Sequence, residues 1–229
     1  MNIDKAIKKA SVDLKRYQIK SALLDCEILM SKALNKSRKF IIMNPNEKIN
    51  DYEYHKFRAF ISSRVKRKPI AYITGEKSFW KYNFKINEKV LIPRPDTEII
   101  VEQVFKIYEK KRSINFLEIG IGSGCIILSI LKEKKSFLGK GIDVSKESIK
   151  VCKENANKLG LLNRLKLFNS DIDKFNLGKY DLIISNPPYI KKLDFKSLKK
   201  DVVSFEPWLA LDGGLDGLSC FNKIIKKSS

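Results

Sequence analysis

The feature that most constrains the fold is an alternation of short apolar runs and helical segments in the second half of the 229-residue chain. The predicted strands cover residues 114–119, 137–142, 165–168 and 180–185, and the predicted helices cover residues 123–132 and 146–159. Strands that alternate with helices in this way pair in parallel, with helices on both faces of the sheet. The sequence therefore predicts an α/β fold built on a parallel sheet.

The beginning of the chain has a different pattern. Residues 1–69 carry apolar residues at helical spacing and are predicted to form a small helical domain. Within it, Asn50 and Glu53 match a capping box at the start of a helix. The apolar side of that helix carries Tyr54, Phe57, Ile61 and Val65.

A strand-rich segment follows the helical one. Residues 70–92, with Ile70 and Tyr72 among their strand formers, predict a β-hairpin linker whose turn candidates are Gly75 and Asn87. The domain that contains the parallel sheet is predicted to cover residues 93–229. The boundary falls within Ile92-Pro93-Arg94-Pro95-Asp96-Thr97-Glu98, where the two prolines predict extended backbone and Asp96 or Thr97 is expected to cap a helix over residues 98–110.

The net charge and the cysteine content exclude few classes of function. The net charge is +20, but the lysines are spread along the whole chain, which favours a solvated surface over a dedicated nucleic-acid patch. The cysteines lie far apart and the chain has a single histidine, so we expect reduced thiols and no metal site. The sequence shows neither an apolar run of membrane length nor a signal-like start, which predicts a soluble cytoplasmic protein.

A glycine-rich turn follows the first predicted strand of the sheet, at Leu117-Glu118-Ile119-Gly120-Ile121-Gly122-Ser123-Gly124. Glycines at such a turn let the backbone approach a ligand beyond the carboxyl ends of the strands. The dinucleotide-binding pattern fits poorly, because its third small residue falls on Cys125. The segment instead resembles the first motif of class I methyltransferases, which use S-adenosyl-L-methionine. The plain alternative is a structural turn with surface aspartates nearby.

The likeness to class I methyltransferases implies a set of cofactor contacts. Glu118 is expected near the methionine amino group, and Asp143, at the end of the second strand, is expected to accept hydrogen bonds from the ribose hydroxyls. Asp171 follows the third strand and is expected at the adenine amine, with Ile172 against the ring. The predicted cofactor-binding residues are Glu118, Gly120, Ile121, Gly122, Ser123, Gly124, Asp143, Asp171, Ile172 and Asn186.

The motif Asn186-Pro187-Pro188-Tyr189 follows the fourth predicted strand. Prolines lack an N–H, so their rigid backbone presents carbonyl oxygens, and the Asn186 side-chain oxygen also accepts hydrogen bonds. Such acceptors suit a planar NH₂ group, on whose plane Tyr189 could stack. We predict Asn186, Pro187 and Tyr189 as catalytic and all four residues as substrate-binding. An adenine, a guanine or a glutamine amide presents the same NH₂, so the motif specifies the reaction and not the substrate.

The order of motifs narrows the substrate. A helical domain, a hairpin, Pro-Arg-Pro-Asp-Thr-Glu, the glycine turn and Asn-Pro-Pro-Tyr are followed by Phe205-Glu206-Pro207 and Gly213-Gly214-Leu215-Asp216-Gly217-Leu218. Over nearly its whole length the chain is similar to the release-factor glutamine methyltransferase family (the PrmC/HemK type). This resemblance implies a Rossmann-like class I methyltransferase domain that methylates the glutamine of the Gly-Gly-Gln loop in class 1 peptide chain release factors. The N-terminal helices are then expected to bind the release factor.

The same resemblance leaves some expectations open. Family members usually add a strand after the helix that begins near Leu218 and then a closing antiparallel pair, so a chain ending at Ser229 is expected to lack these strands and to leave the strand before Asn186 at the edge. The alternatives are an adenine or guanine amino methyltransferase acting on nucleic acid, and a truncated relative without turnover. We expect a monomer that acts away from membranes and does not require nucleic acid.

Overall fold

The computed structural model of the chain describes residues 1–176 and 178–228. The chain divides into two compact units, Met1–Thr74 and Gly75–Ser229. Each unit contains its own cluster of buried apolar side chains. The division into a substrate-binding domain, a linker and a catalytic domain stays a prediction.

The first unit is helical, as predicted. Its helices are α1 (Ile3–Arg16), α2 (Ala22–Leu34), α3 (Arg38–Met43), α4 (Asp51–Val65) and α5 (Ile70–Thr74). The apolar faces of the first, second and fourth helices meet in a buried core that includes Leu14, Leu29, Met30, Phe57 and Ile61. This packing explains the helical spacing of apolar residues in the sequence.

The predicted capping box of α4 is present. The Glu53 N–H donates to Asn50 Oδ1 at 2.8 Å, and the Asn50 N–H donates to Glu53 Oε2 at 3.0 Å. These bonds satisfy backbone donors that the first helical turn cannot pair, which stabilises a helix by about 1 kcal/mol. Phe57 and Ile61 are buried on the predicted apolar side, and Tyr54 and Val65 are partly buried.

The hairpin of the second unit differs from its prediction at both ends. Strands β1 (Glu76–Phe79) and β2 (Tyr82–Lys85) pair antiparallel, whereas the predicted strand formers Ile70 and Tyr72 lie in α5. The α5 turn starts at Pro69, whose carbonyl accepts the N–H of Tyr72 at 3.0 Å. Proline favours a helix start because its φ is already helical and it has no N–H to lose, and this outweighed the β preference of the next residues.

The hairpin turn is made by neither of the predicted turn residues. It lies between Phe79 and Tyr82, with Trp80 at φ +55°. The Trp80 N–H donates to Glu98 Oε1 at 2.7 Å, so a contact distant in sequence helps to hold a backbone conformation that tryptophan rarely adopts. Gly75 instead precedes β1, and Asn87 forms a local turn in which its Oδ1 accepts the Lys89 N–H at 2.9 Å.

The sheet has the predicted order of elements. After a 3₁₀ turn at Pro95–Thr97 come α6 (Glu98–Ile107), β3 (Asn115–Ile119), α7 (Cys125–Glu133), β4 (Leu138–Asp143), α8 (Lys146–Leu159), β5 (Leu165–Asn169), β6 (Leu182–Ser185), α9 (Lys200–Phe205) and α10 (Ser219–Ser228). The expectation that Asp96 or Thr97 caps α6 was wrong: Thr97 holds the cap position, but its side chain makes no capping hydrogen bond. The 3₁₀ turn leads directly into the helix and places Thr97 in helical backbone.

The four strands β5-β4-β3-β6 are parallel neighbours in that order, which confirms the predicted α/β class. Phe116 and Ile184 pack with the cluster that includes α6, α7 and α8. On the other face, Leu117 and Ile142 pack with Ile172, and Ile224 of α10 lies against them. Helices therefore contribute to both faces, and β6 lies at one end of these four strands.

The described part of the chain offers neither a membrane-spanning helix nor a metal-binding cluster. Among residues 1–176 and 178–228, no helix combines the length and the apolar character needed to cross a membrane. The same residues contain no group of three or more His, Cys, Asp or Glu side chains that could hold a metal ion.

Candidate active site

A cavity of about 520 Å³ lies beyond the carboxyl ends of β3, β4 and β6. The glycine turn forms part of its wall. Gly120 and Gly122 have φ values of +76° and +51°, and a Cβ atom at either position would meet no atom within 4 Å. A side chain there would be strained and would stand in open space, so both glycines leave room beside the end of β3.

Most of the predicted site residues meet at this cavity. Those that line it are Glu118, Gly120, Ile121, Gly122, Ser123, Asp143, Asp171, Ile172, Asn186, Pro187 and Pro188. Gly124 is not on the wall; a Cβ there would lie 2.5 Å from Cys152 Sγ, so this glycine permits close packing of α7 on α8. Tyr189 is also off the wall, with 61% of its surface exposed.

Asp143 connects β4 to the glycine turn. Its Oδ2 accepts the Gly122 N–H at 3.0 Å, and its Oδ1 accepts the Ser145 N–H at 2.9 Å. Burial raises the pKa of this carboxyl group, and the two N–H donors act in the opposite direction. Each carboxylate oxygen can accept more than one hydrogen bond, so Asp143 can hold the turn and still accept from a ligand hydroxyl.

Glu118 has a structural role that the sequence did not reveal. It is 1% exposed, and its Oε2 accepts the N–H of Ile127, in the first turn of α7, at 2.8 Å. The residue at the start of α7 is Gly124, which has no side chain to cap the helix. A carboxyl oxygen at this helix N-terminus satisfies a backbone donor that the first helical turn cannot pair. The sequence pattern that could have indicated this role is an acidic residue in a buried strand, followed by a helix without a capping side chain.

Burial of Glu118 gives a testable pH dependence. Burial is the largest cause that raises the pKa of this carboxyl group well above its usual 4.5 in the folded protein. A raised folded-state pKa means that the folded protein binds this proton more tightly than the unfolded chain does. The stabilisation that results is complete below about pH 4.5 and is lost as pH rises through the folded-state pKa. We expect the wild type to lose stability relative to Glu118→Gln over that range, measured by urea unfolding at a series of pH values.

The control for this series is Glu109→Gln, which removes a carboxylate at an exposed position. The stability difference between wild type and Glu118→Gln, corrected by this control, should grow as pH rises. A difference that stays constant with pH would show that Glu118 ionises equally readily in the folded and unfolded chains.

The Asn-Pro-Pro segment leaves β6 directly beside the glycine turn. Ser185, the last residue of β6, donates its Oγ hydrogen to the Ile119 carbonyl at 2.8 Å. The Asn186 Nδ2 group donates to Thr97 Oγ1 at 3.4 Å. Asn186, Pro187 and Thr97 all line the cavity, so the 3₁₀ turn before α6 belongs to the site. Sequence reasoning assigned no site role to Thr97.

A buried carboxylate joins two motifs that are distant in sequence. Glu206 Oε1 accepts from Arg94 Nη2 at 2.6 Å, and Glu206 Oε2 accepts the Ile92 N–H at 3.4 Å. The Glu206 side chain is 1% exposed, which strengthens an ion pair by excluding water from the carboxylate. The Pro-Arg-Pro-Asp-Thr-Glu and Phe-Glu-Pro motifs therefore form one wall of the cavity. In the sequence, the only indication of this contact was that the two motifs occur together.

The second glycine-rich motif packs on the backbone of Asn-Pro-Pro-Tyr. The Ile190 N–H donates to the Leu211 carbonyl at 3.0 Å, and the Gly213 N–H donates to the Ile190 carbonyl at 2.9 Å. A Cβ atom on Gly213 would lie 2.7 Å from Tyr189 Cα, and one on Gly217 would lie 2.6 Å from the Tyr189 carbonyl oxygen. These glycines allow two backbones to approach closely, which fixes the segment that follows Asn186.

The cavity suits a positively charged nucleoside cofactor. Carboxyl groups outnumber cationic groups on its wall although the whole chain has a net charge of +20: five acidic side chains (Glu118, Asp143, Glu147, Asp171 and Asp212) line it with three basic ones (Lys89, Arg94 and Lys223). Ile142 and Ile172 supply apolar surface on the same wall, as a heterocyclic ring requires. S-adenosylmethionine combines a ring, ribose hydroxyls, an amino group and a positively charged sulfur, so the residues present fit it.

Comparisons with known proteins agree with this geometry. Family models match at residues 5–75 (PrmC N-terminal domain) and at residues 96–204 (methyltransferase small domain). The release factor glutamine methyltransferase of Clostridium acetobutylicum is 37% identical over 231 residues, covering 100% of this chain and 81% of that protein. The release factor glutamine methyltransferase of Caulobacter vibrioides is 34% identical over 225 residues, covering 98% of this chain and 78% of that protein.

A solved structure shows the same fold. The hMettl16 catalytic domain, in complex with MAT2A 3′UTR hairpin 6, has a TM-score of 0.52 and 17% identity, and the match covers 63% of this chain and 55% of that one. The likeness at this identity concerns the fold alone.

The parallel sheet, the glycine turn and the Asn-Pro-Pro segment at one cavity define a class I methyltransferase. Within that class, the chain belongs to the release factor glutamine methyltransferase family. The resemblance drawn from the motifs is thereby confirmed, while the roles of the individual site residues stay predictions.

Proposed function

We propose that this protein transfers a methyl group from S-adenosyl-L-methionine to the side-chain amide nitrogen of the glutamine in the Gly-Gly-Gln motif of class 1 release factors. The observation that carries the proposal is the Asn186-Pro187-Pro188 segment at a cavity lined by carboxyl groups, in a chain of this family. The relatives' names favour a release factor over a nucleic acid as the substrate.

The site residues can position the amide without a general base. Bound S-adenosylmethionine supplies a methyl group on a positively charged sulfur. Asn186 Oδ1 accepts one N–H of the glutamine amide and the Pro187 carbonyl accepts the other, which turns the nitrogen lone pair towards the methyl carbon. The nitrogen takes the methyl group as the bond from that carbon to sulfur breaks, which leaves the neutral sulfur of S-adenosylhomocysteine. The nitrogen then loses one proton, which is acidic enough at that stage to pass to water. Orientation of this kind can supply much of the rate enhancement.

The cofactor-binding residues have separate tasks in this proposal. Asp143 orients the ribose, and Asp171 with Ile172 holds the adenine ring. Glu118 caps α7 and faces the methionine amino group, whose positive charge favours the ionised form of this buried carboxyl group when the cofactor is bound. Tyr189, whose ring is exposed beside Pro188, contacts the incoming glutamine loop.

The remaining expectations concern partners and place. We propose that the helices of residues 1–74 bind the release factor, and that the protein acts as a monomer in the cytoplasm, where release factors work. Light scattering tests the oligomeric state. Deletion of the helical unit should raise KM for the release factor far more than it changes cofactor affinity.

The deciding experiment is transfer of labelled methyl from S-adenosylmethionine to purified release factor, with a Gly-Gly-Ala variant of its loop as the control. Label on the wild-type release factor alone supports the proposal. Label on neither protein, in an enzyme that binds the cofactor, contradicts it; transfer to RNA or DNA would then identify an amino methyltransferase on nucleic acid, and no transfer at all would indicate a relative without turnover.

A further inference from the structure

The contact between Asn186 and Thr97 suggests how the proposed acceptor group is oriented. Asn186 Nδ2 donates to Thr97 Oγ1 at 3.4 Å, and both side chains line the cavity. We propose that Thr97 is a positioning residue, which holds the Asn186 amide so that its Oδ1 faces the methyl-accepting nitrogen. This inference rests on the proposed function of Asn186.

Thr97 is suited to this role because its own position is fixed from both sides. Its N–H donates to the Arg94 carbonyl at 3.1 Å, which closes the 3₁₀ turn. Arg94 is held by the buried Glu206 at 2.6 Å. On the other side, Glu98 accepts the Trp80 N–H at 2.7 Å. A hydroxyl group on so constrained a turn can restrict a neighbouring side chain at little entropic cost.

The hydrogen bond leaves a defined set of groups for the substrate. An asparagine amide has two N–H donors and one oxygen that accepts. With one N–H directed to Thr97, the Oδ1 atom points away from the hydroxyl and is available to accept from an amide NH₂. Without Thr97 the amide could rotate and present its own NH₂ to the substrate NH₂, an arrangement of two donors that cannot bond.

The predicted effect falls on the chemical step. A misoriented Asn186 still leaves space for the glutamine side chain, so binding of the release factor should change little. The glutamine amide would adopt the orientation needed for attack less often, which lowers kcat. Loss of a neutral hydrogen bond of this kind should lower kcat by roughly threefold to tenfold.

The test uses two replacements of Thr97. Thr97→Val keeps the shape and removes the hydroxyl, and we expect kcat for release-factor methylation to fall roughly threefold to tenfold while KM for the release factor and affinity for S-adenosylhomocysteine change less than about twofold. Thr97→Ser restores the hydroxyl and should recover most of the lost kcat. In an Asn186→Ala background, Thr97→Val should cause no further loss, because the group through which it acts is gone.

Several results would overturn the inference. They are an unchanged kcat in Thr97→Val, an equal loss in Thr97→Ser, or a full additional loss in the Asn186→Ala background. The last result would show that Thr97 supports the fold of the site without acting through Asn186.

A second measurement does not depend on turnover and separates this inference from the proposed function. The Asn186 side-chain NH₂ resonance is assigned by its disappearance in Asn186→Ala, and its order parameter is compared among the Thr97 variants. We expect a lower order parameter in Thr97→Val and a value close to wild type in Thr97→Ser. An unchanged value in Thr97→Val refutes the positioning role even if release factors prove not to be substrates, whereas failure of release-factor methylation with the expected ordering refutes the proposed function alone.

Discussion

Asn186→Ala should lower kcat for methyl transfer to the release factor by about 100-fold or more, which is the usual effect of removing a group that bonds to the reacting atoms. Asn186 is the cavity residue whose side-chain oxygen can accept from the glutamine amide while its Nδ2 is held by Thr97. Alanine leaves the backbone of the Asn-Pro-Pro segment and the strand before it unchanged. The measurement is single-turnover transfer of labelled methyl, which reports the chemical step separately from product release.

Cofactor binding provides the necessary comparison for this variant. Calorimetric affinity for S-adenosylhomocysteine should change less than about tenfold, since Asp143 and the glycine turn remain in place. Asn157→Ala, at an exposed position of α8, is the matched control and should leave both quantities unchanged. Transfer by Asn186→Ala within a fewfold of wild type would mean that the amide is oriented by other groups.

Gly213→Ala should lower kcat for methyl transfer, although Gly213 does not line the cavity. The added Cβ would lie 2.7 Å from Tyr189 Cα and 2.8 Å from the Gly217 carbonyl oxygen, and both are backbone atoms that cannot rotate away. The two segments must therefore separate, which shifts the chain that follows Asn186. Overpacking of this kind typically destabilises by about 1–3 kcal/mol, and a displacement near 1 Å at a reacting group can cost about 100-fold in rate.

The relevant control is a glycine whose replacement affects stability alone. Gly160 ends α8 at φ +71°, and a Cβ atom there would meet no atom within 4 Å, so Gly160→Ala should destabilise through backbone strain and leave methyl transfer intact. Urea unfolding and kcat are measured for both variants well below their unfolding transitions. If Gly213→Ala loses stability and yet keeps full kcat, the packing of this loop on Tyr189 does not position the site.

The parallel sheet and much of the cavity could be predicted because they depend on patterns that are local in the sequence. Short segments with apolar strand formers alternate with helical segments, and β3, β4 and β6 ended within a residue or so of the predicted positions. Parallel pairing brings the carboxyl ends of strands to one edge, so Asp143 and Asp171 could be placed near the glycine turn before the structure was known.

What the sequence did not reveal depends on contacts between distant residues. The turn at Trp80 relies partly on Glu98, and the buried ion pair of the first unit joins Arg64 Nε to Asp25 Oδ2 at 2.7 Å. Neither pairing leaves a local pattern, because a charged side chain on a helix is more often solvated than buried. Glu118 was assigned to the cofactor for its charge, but which backbone donor it meets depends on how α7 packs on β3.

The Arg94–Glu206 pair affects the order in which the parts of the site can form while the chain is being synthesised. Its partners are 112 residues apart, and the loop of Gly213 and Gly217 that packs on Tyr189 lies further along the chain. The glycine turn, Asp143 and Asp171 come earlier, so on a translating ribosome the segments that would hold the cofactor emerge before the wall that would hold the methyl acceptor can close. Contacts at such long sequence separation form late because closing the intervening chain costs entropy. A nascent chain should therefore acquire cofactor affinity before it can distinguish one acceptor from another.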